Sequence, residues 1–225
     1  MLVAQNNLPE ALKAFRYGLA IRERLARRDP SNVLWQHDLS ISLESIGNVL
    51  LTQGHLPEAL EAFRDSHMIF EHLARIDPGN VNWQHNLSVS SGKIGDVQVA
   101  QCNLPEALKA FRDGLAIIER LAQADSGNAD LQNNLSVFWV KIGDAMVEQG
   151  NLPAALKAFR DGLAIRERLA RRDPSNVLWQ RGLANILYRL YRIHRRTFQF
   201  RSAGSCARRY FRQVMEMAAR GQTPR

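Results

Sequence analysis

The chain has 225 residues, 45% of them hydrophobic and 23% charged, with a net charge of +8. The apolar share is ordinary for a folded protein, no run reaches the length of a membrane span, and Met1–Glu10 lacks the charged-then-apolar layout of a secretory signal. The two cysteines, Cys102 and Cys206, stand in unrelated contexts, so no disulfide framework is implied and a reduced, cytoplasmic setting is the expectation.

Along the chain one phrase returns at a spacing of 48 residues: Asn-Leu-Pro-Glu-Ala-Leu-Lys-Ala-Phe-Arg at Asn7–Arg16 and Asn103–Arg112, with variants at His55–Arg64 and Asn151–Arg160. Trp35, Trp83, Leu131 and Trp179, each followed by Gln, keep the same period. A fixed period of this size means stacked supersecondary units that bury their apolar faces on one another. The expected array covers residues 1–180, with units near 1–32, 33–80, 81–128 and 129–176.

At the start, Met1–Gln5 aligns with Val97–Gln101, so only the last turn of a leading helix is expected there, and the helix Leu8–Arg28 lacks a partner on one side. Leu12, Phe15 and Leu19 are not the polar residues of a capping unit. Either the chain begins inside a longer array, as a piece of a larger signalling repeat protein, or the end is covered, self-association included. The second copy shows how a unit is built. Its trailing helix opens at His55-Leu-Pro-Glu58, with proline in the first turn where a missing N–H is harmless; Asn7 and Asn103 are better caps in their copies. Ala59, Leu60, Phe63, Ile69 and Leu73 follow the spacing of one buried face, and Asp77-Pro-Gly-Asn80 ends the helix. The next leading helix runs from about Val81 to Ala100; in other copies it ends at Gly54 or Gly150, where glycine suits a left-handed cap.

These residues resemble the tetratricopeptide repeat (TPR). Ile46-Gly47, Ile94-Gly95 and Ile142-Gly143 match its Leu-Gly pair, Ala11, Ala59, Ala107 and Ala155 its packing alanine, and Phe15, Phe63, Phe111 and Phe159 its second-helix aromatic. Small residues follow at Gly18, Ser66, Gly114 and Gly162. The resemblance implies an all-α right-handed superhelix, an α-solenoid of antiparallel helix pairs. The ordinary unit has about 34 residues; the longer unit here looks like that of kinesin light chains and many bacterial repeat proteins.

The last segment departs from the array. Residues 1–180 carry 19 Lys/Arg against 21 Asp/Glu, whereas residues 181–225 carry 11 arginines and one acid, Glu216. Tyr191 stands where Gly47, Gly95 and Gly143 stand, and a helix Ala207–Ala219 is expected to offer Tyr210, Phe211, Val214 and Met215 for burial. Residues 181–225 read as a degenerate basic repeat that caps the array. Copies one and four are nearly the same text: 7–36 and 151–180 differ only at Glu10/Ala154 and Tyr17/Asp161. Recent duplication explains such identity, exposed arginines included.

Catalytic, metal-binding and cofactor motifs are missing. The histidines form no ligand spacing, and the glycines sit at helix ends or packing positions rather than in a phosphate loop. A non-catalytic scaffold for a protein or peptide partner is therefore expected. By the resemblance, the leading helices line a concave groove that takes a peptide or a helix. Its candidate residues are Glu44, Asn48, Lys93, Asp96, Lys141, Asp144 and Glu148. Asn48, Asp96 and Asp144 form a polar row ended by Arg192; Ile41, Val89 and Val137 form an apolar one. The rival expectation is nucleic acid or another polyanion at Arg189, Arg192, Arg195, Arg196, Arg201, Arg208, Arg209 and Arg212, interleaved with Tyr188, Tyr191, Phe198 and Tyr210 for stacking.

Overall fold

Asparagine sets the start of every leading helix. The side chains of Asn32, Asn80, Asn128 and Asn176 accept backbone N–H bonds from the first turn that follows each, satisfying donors the helix itself leaves unpaired. Asn151 does the same for Ala154 N at 3.2 Å, while His55 makes no side-chain cap bond. In the computed structural model, which describes residues 8–197 and 200–221 (the side chains of 200 and 201 excepted), these signals delimit nine helices among the described residues. They are α1 (Leu8–Arg28), α2 (Val33–Thr52), α3 (Leu56–Ile76), α4 (Val81–Ala100), α5 (Leu104–Ala124), α6 (Ala129–Glu148), α7 (Leu152–Arg172), α8 (Val177–Arg196) and α9 (Phe200–Ala219). The cap expected at Asn7 lies outside the described residues. No strand occurs among them.

Between a leading helix and the trailing helix after it, the chain turns through a left-handed residue: Gly54 at φ +79°, Gly150 at φ +77° and, at the equivalent place, Cys102 at φ 59°. Glycine adopts this conformation without strain and cysteine does not. Between a trailing helix and the next leading one, the glutamine of the second marker closes the turn. The side-chain amides of Gln36, Gln84, Gln132 and Gln180 donate to Pro30 O, Pro78 O, Ala122 O and Ala170 O. Those carbonyls belong to helix ends and turns that would otherwise lack donors.

The helices cluster into two compact units, Met1–Leu121 and Ala122–Arg225, with the division inside α5. The change in charge at residue 181 falls elsewhere, since α8 and α9 pack in the same unit as α6 and α7. In the first unit α2 packs on α1 and α3, and α3 on α4. Its core joins Ile46, Leu50, Ala59, Leu60, Phe63 and Val97. The second unit's core joins Ala155, Phe159, Leu183, Ile186, Leu187, Leu190 and Ile193.

One contact recurs in both units. A methyl group added at Gly47 would lie 2.7 Å from the ring of Phe63, and the same addition at Gly95 or Gly143 would collide with Phe111 or Phe159. Each phenylalanine is at most 1% exposed, so the ring is seated on bare backbone. Buried serines help the leading helices pack closely: Ser40, Ser90 and Ser136 return their hydroxyls to carbonyls three residues back. Trp83 of α4 lies 5.3 Å from the His37 ring of α2, the packing of one long leading helix on the next.

α9 departs from the sequence expectation. It starts at Phe200 rather than Ala207, and Phe211 and Met215 are 63% and 69% exposed instead of buried. The inward stripe is Ala203, Cys206, Tyr210, Gln213 and Met217, whose helical spacing leaves Phe211 and Met215 on the outer side.

Candidate functional site

Within each unit two leading helices are tied together by a polar rung. In the first unit, Lys93 Nζ of α4 donates to Asn48 Oδ1 of α2 at 2.8 Å and stands 6.0 Å from the centre of the Phe63 ring. In the second, Arg189 of α8 grips Asp144 of α6 with two nitrogens, Nε to Oδ1 at 2.7 Å and Nη2 to Oδ2 at 2.9 Å. Both bonds join a residue to one 45 positions further on. The row Asn48, Asp96, Asp144 therefore has a companion row of cations, Lys93, Lys141, Arg189, each three residues ahead of its place in the repeat. Asp96 and Lys141 are half-buried and neither is free. Glu148 is exposed. Burial pushes the Glu44 carboxyl above its ordinary range and the Lys93 charge draws it part of the way back. Its Oε1 has no partner among the described residues.

On the second unit this rung opens into a cleft lined by Asp144, Val147, Phe159, Arg189, Arg192, Ile193 and Arg196. Val147, Phe159 and Ile193 give it an apolar floor. Asp144 neutralises Arg189, and the exposed Arg192 and Arg196 bring positive charge to its rim. Arg192 also lies 5.9 Å from the Tyr188 ring and Arg195 5.8 Å from the Tyr191 ring, the range of cation–π attraction. The other arginines of the segment are dispersed. Arg209 is ion-paired with Glu167 of α7, Arg208 and Arg212 are exposed on α9, and the side chains of Phe198 and Arg201 lie outside the described residues. The apolar row is open to solvent in part, with Ile41 42% exposed and Val89 and Val137 half-buried.

Two features escaped the sequence. The cation row carries the same 48-residue period as its partners, a signal hidden by the arginine-rich segment in which Arg189 falls. The second is Arg166, 9% exposed and held in the space that Gly182 leaves, since a methyl group there would collide with its guanidinium. Burial, with the Arg189 charge adding to it, pushes Arg166 down to about 10, and its Nε has no partner among the described residues. The equivalent positions hold Phe70 and Ile118, both fully buried. Among the described residues no three His, Cys, Asp or Glu side chains gather as a metal site, and no helix is long and apolar enough to cross a membrane.

No protein-family model matches the chain, and no curated protein matches it. Solved structures do. TPR-like repeats of a kinesin light chain from Podosopora anserina superpose with a TM-score of 0.67 at 15% identity, covering 97% of this chain and 92% of that one. The apo form of RapI gives a TM-score of 0.72 at 11% identity over 96% of this chain and 51% of RapI. Aspartyl phosphate phosphatase F from Bacillus subtilis gives 0.64 at 12% identity over 92% and 50%. The chain thus spans about half the length of the last two. At such identities the likeness carries the fold alone: the chain is an all-α protein of TPR-like repeats.

Proposed function

We propose that the chain is a non-catalytic scaffold for protein–protein interaction, and that the cleft between α6 and α8 takes an acidic peptide segment or helix. The observation that carries this reading is the cleft's composition. An apolar floor of Val147 and Ile193 sits under a rim where Asp144 already satisfies Arg189, while Arg192 and Arg196 remain exposed. Guanidinium groups bind carboxylates through paired N–H donors, and a lining fixed by the Arg189–Asp144 bonds loses little freedom when a partner docks. The first unit suits this less, because its rung is closed by Asn48 and Lys93 and carries Glu44 rather than arginines.

Binding of nucleic acid by the same segment is the second reading, supported by the arginine–tyrosine stacks at Tyr188 and Tyr191. Against it, Arg189 and Arg209 are already engaged by Asp144 and Glu167. Capture from a cytoplasmic extract separates the two. With nuclease present, the wild-type chain is expected to retain a discrete protein that the double variant Arg192→Glu, Arg196→Glu does not. Retention by both chains removes the cleft as the site; loss of all retained species on nuclease treatment transfers the function to a polyanion.

A further inference from the structure

The near-identity of copies one and four lets one sequence be compared in two surroundings. In α7, Ala158, Phe159, Gly162, Ile165, Arg166 and Leu169 are all buried. Their counterparts in α1 are Ala14, Phe15, Gly18, Ile21, Arg22 and Leu25, the same residues in the same order, and none of them is buried. Ala11 and Ala26 are buried in α1, as Ala155 and Ala170 are in α7. The difference is therefore confined to one stripe at helical spacing.

What covers that stripe in α7 is visible. The Phe159 ring sits on Gly143 of α6, and a methyl group added at Gly162 would meet Trp139 Cβ of α6 at 3.2 Å and Ser136 O of α6 at 3.4 Å as well as Ile186 of α8 at 3.0 Å, with Val140, Met146 and Val147 of α6 packed against the same core. No described helix stands in that place against α1. An independent observation marks the edge of the uncovered stripe. Position 17 is one of only two differences between the copies; Asp65, Asp113 and Asp161 hold it in the other three, whereas copy one has Tyr17, 74% exposed. Replacing a carboxylate by an exposed aromatic is a change that suits a protein contact and not a solvated face.

We infer that this face of α1 is a docking surface for one kind of partner: an amphipathic helix of the leading type, supplied from outside the described residues, which presents a glycine to Phe15 and apolar side chains three and four residues to either side. The inference does not rest on the cleft of the second unit. It also distinguishes the occupant from a second copy joined end to end, because the helix that covers the equivalent face of α7 is a leading one, α6, and α9 is a trailing one.

The probe is a fluorescent peptide of residues 129–148, the α6 sequence, titrated into the full chain by anisotropy. Saturable binding is expected, weakened about tenfold or more by Gly143→Phe in the peptide or by Ile21→Glu in the chain. Isolated helices of this length are marginal in water, so a second arm places residues 129–150 directly ahead of Asn7, copying the natural junction at Asn151. Hydrogen exchange of the α1 amides should slow in this extended chain and return to the original rate when the added helix carries Gly143→Phe. Binding or protection that responds to these substitutions supports the inference. Failure of both arms overturns it, and so does a face already occupied by a second copy that the added helix does not displace.

Discussion

Arg166 shows how far one residue's identity is from its environment. Duplication placed the same arginine at Arg22, exposed on α1, and at Arg166, enclosed in α7. A buried donor without an acceptor costs about 1–3 kcal/mol, and more when the group is charged, and the equivalent positions show what the site prefers, Phe70 and Ile118. Arg166→Ile should therefore raise stability by about 1–3 kcal/mol, read as a higher denaturant midpoint at unchanged slope. A lower midpoint would mean the guanidinium has an acceptor in solution. Its charge is not relieved at neutral pH, since even the lowered value near 10 leaves it protonated. The sequence displayed the arginine at both places, but the repeat pattern alone did not say that the second one is enclosed. Enclosure depends on Gly182 leaving room and on α6 covering α7, and neither is a local property of the arginine's own helix.

At the scale of helices, the ends were the most legible feature, because caps and turns act locally. Asn80 before α4, Pro57 in the first turn of α3 and Gly54 and Gly150 at positive φ stand where the repeat phrases put them. α9 was the exception. No proline phrase marks its start in the sequence, and the apolar Phe211 and Met215 point outward because the stripe facing α8 is completed by Cys206 and Gln213. The glycine–phenylalanine seat was legible as a pattern, and the structure supplies its mechanism. Alanine at Gly95 would gain about 1 kcal/mol in helix propensity, yet its methyl group would meet the Phe111 ring, and Phe111 is enclosed. Overpacking of this kind costs about 1–3 kcal/mol. Gly95→Ala is expected to lower the melting temperature, and the pair Gly95→Ala, Phe111→Leu to recover part of the loss; an unchanged or raised melting temperature for Gly95→Ala alone would contradict the seat.

For the whole molecule, stability in such an array is a sum over units and the contacts between neighbours, while binding is a matter of which surface the repeats leave unspent. The candidate site was legible only in part. The 48-residue rows put Asn48, Asp96 and Asp144 in register, but register does not tell whether a polar group faces a partner or the next helix. For Asn48 and Asp144 the structure gives the second outcome, since Lys93 and Arg189 hold them. Positive charge beyond that balance is carried at the cleft by Arg192 and Arg196. These two residues carry the central claim, and they are better probes than Asp144, whose replacement by lysine would set two cations against each other. The most direct measurement is an array of immobilised peptides varying in charge and apolar content, probed at about 0.15 M salt with the full chain and with its Arg192→Glu, Arg196→Glu variant. The account predicts that the chain selects acidic peptides containing aliphatic residues and that the variant loses that set while keeping its helicity. Selection without acidic bias, or the same set bound by the variant, would contradict it.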